Sequence, residues 1–113
     1  MIAYKVVRRE PNGNLYSAYL GTDGVRYHRN IEVYPYSQCG PLCVFNTIAR
    51  AQVWAWFMRD DNPLWILEVW ECEVKISYEK QPYNIKLGGC TYPQFPHGSV
   101  LASSVKLLRQ IGE

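Results

Sequence analysis

No apolar run in this chain of 113 residues reaches the roughly 20 residues that a helical membrane span needs. A charged, then apolar, then small-residue leader is missing too, because the first residues go straight into a strand-like stretch. On these grounds the sequence places the protein in a cytoplasm. Net charge is scarce, at +2, which is too little to imply a nucleic-acid partner. Histidine occurs only at His28 and His97. Of the cysteines at 39, 43, 72 and 90, only the first two are close, as C-x3-C, and no C-x2-C pair exists. Zinc prefers other spacings, so no metal site is expected, and a reducing cytoplasm argues against disulfides. Apolar side chains are plentiful, at 48% with 14% aromatic, which fits a globular chain and excludes a disordered one. A single domain over residues 1–113 has enough of them to bury a modest core without staples.

Charge is segregated along the chain. Lys5, Arg8, Arg9, Arg26 and Arg29 stand against Glu10, Asp23 and Glu32 in the first third, whereas five acids and no base lie between Asp60 and Glu73. Such faces are ordinarily just solvated, but segregated ones can also orient an anionic ligand or a partner.

The chain is organised around Gly40 to Ser77, which holds all four tryptophans. Ile48, Ala51, Trp54, Ala55 and Met58 recur at helical spacing and predict a helix over about residues 47–60. Asn46 is the best N-cap and Thr47 the alternative; Pro63 ends the run. Asp60 and Asp61 sit at the wrong end of the helix for its dipole, through solvent exposure or a bound cation. Leu64 to Ser77 then alternates as one long central strand. Trp65, Leu67, Val69, Glu71 and Glu73 share one face, and Ile66, Glu68, Trp70, Cys72 and Val74 the other.

Before the helix, Ile2 to Arg9 reads as a strand. Pro11-Asn12-Gly13 is a turn, Leu15 to Leu20 pairs back, and Val25 to Arg29 and Ile31 to Tyr34 follow after a turn at 21–24. Residues 35–41 form a loop. Residues 78–98, with three prolines and Gly88-Gly89, read as an irregular excursion with a short strand near 84–87. Residues 100–111 fit a helix through Leu101, Val105 and Leu108, or a strand through Leu101, Val105, Leu107 and Ile111; the β-branched content favours a closing strand. The fold class is α+β: a mostly antiparallel sheet, continuous or split, packed on one main helix.

The block GPLCVFNTIARAQVWAWF followed by LWILEVWECEVK, with AYKVV before it and VLASSVKLL after it, resembles small phage and prophage proteins. More distantly, a strand ending in Phe-x-Thr that opens a helix, then a Val-rich strand, resembles the ADP-ribosyltransferase-like fold. That resemblance implies a split sheet holding a nicotinamide dinucleotide (NAD). Arg8 or Arg9 would take the place of its basic residue, Thr47 that of its polar residue, and Glu71-Cys72-Glu73 that of its Glu-x-Glu signature. An arginine would hold pyrophosphate, and Glu71 or Glu73 would stabilise an oxocarbenium-like sugar as nicotinamide leaves. The departures are a Glu-x-Glu inside a continuous strand and no tyrosine that stands out among nine as a stacking partner. The ordinary role of Glu71 and Glu73 is exposure at alternate strand positions. Cys39 or Cys90 with His97 would form a nucleophile pair only if the fold brought them together.

Two functions follow. The first is a non-catalytic, phage-type accessory protein without a cofactor, which binds a host protein or a nucleotide-derived small molecule to counter host defence; Arg8, Arg26, His28 and Thr47 would face the ligand. The second is an NAD-using transferase, with Glu71 and Glu73 catalytic. A structural component of the virion is a third. The helix is also apolar on its outer side, at Ala49, Val53, Trp56 and Phe57. Either residues 78–98 cover that side, or Val53, Trp56 and Phe57 form the interface of a homo-oligomer, most simply a dimer.

Overall fold

The computed structural model describes residues 1–18, 25–35, 42–77 and 98–112. The expected turn at 21–24, nearly all of the 35–41 loop, the excursion at 78–97 and the residues Cys39, Cys90 and His97 lie outside them. The described elements run β1 (Ile2–Arg9), β2 (Leu15–Ser17), β3 (Arg26–Tyr27), β4 (Glu32–Val33), β5 (Leu42–Phe45), α1 (Ile48–Asp61), β6 (Ile66–Ile76) and β7 (Ser99–Gln110).

The first hairpin forms where the Pro-Asn-Gly signal stands. Gly13 takes φ +88°, a value glycine adopts without penalty, and the Glu10 and Asn14 backbones close the turn at 2.8 Å. β1 pairs along its whole length with β6, from Ile2 opposite Glu73 to Arg9 opposite Ile66. The other edge of β6 pairs with β7, β7 with β5, and β5 returns to β1 where Phe45 stands opposite Tyr4. These four antiparallel strands close a ring. The β2–β3 hairpin extends one side of β1, and β4 lies beside β7. The α+β, mostly antiparallel expectation therefore holds, but the sheet is not split: the edges a split would leave apart meet at Tyr4 and Phe45.

Alternation divides the core in two. Ala3 and Val7 of β1 join Tyr27, Val44, Trp70 and Leu107 inside the ring. Val6, Leu67 and Val69 face outward and pack under Ala51 and Ala55 of the helix. β7 is a strand, and its ambiguous periodicity has a local cause. The β6–β7 register slips between Glu71 and Cys72 and again between Lys75 and Ile76, so that Leu108 and Ser103 are passed over in the ladder. Each bulge shifts the in–out alternation by one residue, which is why the strand never shows a clean period of two.

The helix starts one residue later than its best sequence signal. The Asn46 N–H is held by the Gly98 carbonyl at 3.0 Å, so Asn46 still belongs to the end of β5. Thr47 is the cap, its Oγ1 accepting from the Arg50 N–H at 3.2 Å. Asn62 closes the other end through bonds from its N–H and its Nδ2 to the Met58 carbonyl. No helix among the described residues is long and apolar enough to cross a membrane.

Candidate functional site

Three of the residues expected to bind a ligand come to one side of the sheet, though not as an open site. Arg8 stands opposite Tyr16, and Tyr16 opposite Arg26, in one cross-strand row on the outer face. His28 is exposed two residues beyond Arg26. Arg8, however, is buried. Its guanidinium lies over the Trp65 ring at 4.7 Å and pairs with Glu10 at 2.5 Å. Arg26 donates to Asn14 Oδ1 at 2.9 Å. The Thr47 hydroxyl is occupied as the helix cap.

Glu71 and Glu73 lie elsewhere. β1 sets Arg8 opposite Leu67 and Tyr4 opposite Glu71, so Glu71 is four residues farther along, about 13 Å at the rise of a strand. Both carboxylates have partners: Glu71 accepts from Arg109 Nε at 2.9 Å, and Glu73 pairs with Lys106 at 3.6 Å.

Inside the ring, polar side chains take the positions that a ligand would need. Lys5 is 2% exposed, and its Nζ donates to the Cys43 carbonyl at 2.7 Å. Burial pushes the Cys43 thiol up, and that of Cys72 up to about 12, so both are protonated and poor nucleophiles at neutral pH. Cys72 Sγ donates to the Ala3 carbonyl at 3.3 Å. No group of histidine, cysteine and acidic residues that could hold a metal occurs among the described residues.

At one end of the ring Glu68 accepts from Arg9 Nε and Nη2 (2.5 and 2.9 Å) and from Trp70 Nε1 (3.0 Å). Burial alone pushes the Glu68 carboxyl up, but the Arg9 and Trp70 hydrogen bonds and the Arg9 charge outweigh it and hold the group below its usual value. The stabilisation is therefore full above the ordinary carboxylate value of 4.5 and is lost as pH falls through the lower folded one. Glu68→Gln should cost about 2–3 kcal/mol at neutral pH and flatten the acid limb of a stability-versus-pH curve. Unchanged acid sensitivity in the variant would contradict this.

One concavity among the described residues was not singled out in the sequence. β7 stops pairing at Gln110 opposite Trp70, while β6 begins four residues earlier, at Ile66. The Val69 carbonyl is still met by the Ile111 N–H at 2.8 Å, but among the described residues the Leu67 carbonyl is met by the Arg59 guanidinium alone, at 2.9 Å. Leu67 thus turns its backbone N–H and C=O to an edge that β7 no longer covers. A groove of about 400 Å³ lies along this edge, walled by Gln52, Trp56 and Arg59 of α1 and by Gln110 and Ile111. Arg59 forms no ion pair among the described residues. Sequence could have marked Arg59 and Trp56 as exposed on one helical flank, but not the early end of β7, which depends on register. Compared with protein-family models, with curated proteins and with solved structures, the chain matches none.

Proposed function

We propose that the protein is a non-catalytic accessory protein of the phage type, which binds a host protein by taking one of its extended segments as an added strand on β6. The observation that carries this is the edge at Leu67, where among the described residues a side chain takes the place of a neighbouring strand's N–H. Strand addition draws affinity from main-chain hydrogen bonds and specificity from the side chains beside them. A visiting N–H replaces Arg59 at the Leu67 carbonyl and frees the guanidinium for a carboxylate of the partner. Trp56, 67% exposed, supplies an aromatic anchor of the kind that dominates binding energy. Glu71 and Glu73, each held by a cation on the ring's surface and distant from Arg8, support a scaffold without chemistry.

The test is retention of a host protein from lysate on the immobilised chain, compared with Arg59→Glu. The parent is expected to retain a partner that the variant, shown by its melting curve to be folded, binds at least about tenfold more weakly. Equal retention contradicts the proposal, as does label transfer from NAD that disappears in Glu73→Gln.

A further inference from the structure

The outer side of α1 presents Val53, Trp56 and Phe57, which are 51%, 67% and 55% exposed. The Trp56 and Phe57 rings touch each other, with centroids 5.7 Å apart. Together these side chains expose on the order of 350 Å² of largely apolar surface, about the largest patch that a typical monomer leaves open. The charges around it run against the helix. No acid stands in the first turn, Arg50 lies near the N-terminus, and Asp60 and Asp61 end the helix after Arg59, so that the macrodipole disfavours Arg50 and both aspartates where they stand. Arg50, Asp60 and Asp61 form no ion pair among the described residues.

We infer that this face binds a second copy of the chain, with the two α1 helices antiparallel about a two-fold axis between Val53 and Phe57. In that register Val53 of one copy meets Phe57 of the other, and Arg50 falls beside Asp60 and Asp61 of its partner. The flanks agree as well. Arg50 and Asp61, eleven residues apart, differ by only about 20° around the helix, and a two-fold axis across an antiparallel pair brings like flanks together. The Arg50 stem lies close over Gly98, where an added Cβ would come within 2.7 Å of Arg50 Cγ; this fixes the base of the side chain. One contact thus covers the aromatic patch, pairs three unpaired charges twice over, and sets each helix's acidic end against the other's positive end. A partner of another kind would have no reason to match this charge order. This face shares Gln52 and Trp56 with the groove on β6, but Arg50 and the aspartates do not line that groove, so substitutions there test the dimer separately.

Sedimentation at micromolar concentration tests it. The parent should run at twice the 13.1 kDa chain mass. Arg50→Asp alone, and Asp60→Arg with Asp61→Arg alone, should each run as monomers, because each symmetric contact becomes repulsive. An equimolar mixture of the two should recover a mixed dimer, because one contact is then native and the other is its mirror in charge. Recovery also demonstrates that the variants are folded. A monomeric parent, variants as dimeric as the parent, or a mixture that stays monomeric would each overturn the inference.

Discussion

Phe45→Ala is expected to lower stability by about 3–5 kcal/mol and the melting temperature by well over about 10 °C. Phe45 is 2% exposed and stands where β5 closes the ring, opposite Tyr4 on one side and Ser99 on the other. Its ring also reaches the Trp54 indole, with centroids 6.4 Å apart, so one truncation opens a cavity between helix and sheet and loosens the closure. Trp54→Ala, at a half-buried position, should cost less, at about 3 kcal/mol. Thermal melts of both variants decide the order. If Phe45→Ala were milder than Trp54→Ala, closure at β5 would not be a stabilising feature.

Lys5→Ala should cost about 2–5 kcal/mol, because its alkyl stem fills the ring as an apolar residue would and its loss strands the Cys43 carbonyl. Lys5→Met, which keeps the stem but also leaves the Cys43 carbonyl without its donor, should cost less than Lys5→Ala. The pair also isolates a pH effect. Burial holds the Lys5 ammonium below its ordinary 10.5, opposed in part by the Cys43 and Cys72 sulfurs. Between the folded value and 10.5 the unfolded chain binds more protons than the folded one, so the contribution of Lys5 to stability rises with pH through that window. Methionine has no such proton. The stability of the parent relative to Lys5→Met should therefore climb by up to about 1 kcal/mol per pH unit inside the window. A difference that stays flat with pH would show that Lys5 is not buried as an ammonium.

What the sequence made legible follows from how local each signal is. The Pro-Asn-Gly turn, the stripe through Ala51, Trp54, Ala55 and Met58, and the alternation of β6 each depend on a few neighbouring residues and are found where expected. The cap moved from Asn46 to Thr47 because a distant backbone group, the Gly98 carbonyl, claimed Asn46. β7 kept both helix and strand readings open because its bulges at Ser103 and Leu108 arise from pairing with β6 and leave no local mark. Arg8 was expected to face a ligand and is instead buried under Trp65, a contact set by the turn after α1. Glu68 read as one more acid in an alternating strand, and only the ring brings Arg9 and Trp70 to it. The groove at Leu67 is the extreme case, since it exists where one strand ends short of another.

On the proposed function, the β6 edge at Leu67 receives a strand. Amide exchange at Leu67 reports on it directly, because a visiting carbonyl must accept that N–H. With the retained host protein bound, exchange at Leu67 is expected to slow by at least about tenfold relative to the free chain, while Glu68, whose backbone already faces β1, changes little. An unchanged Leu67 rate in the complex would contradict strand addition, whatever the strength of binding.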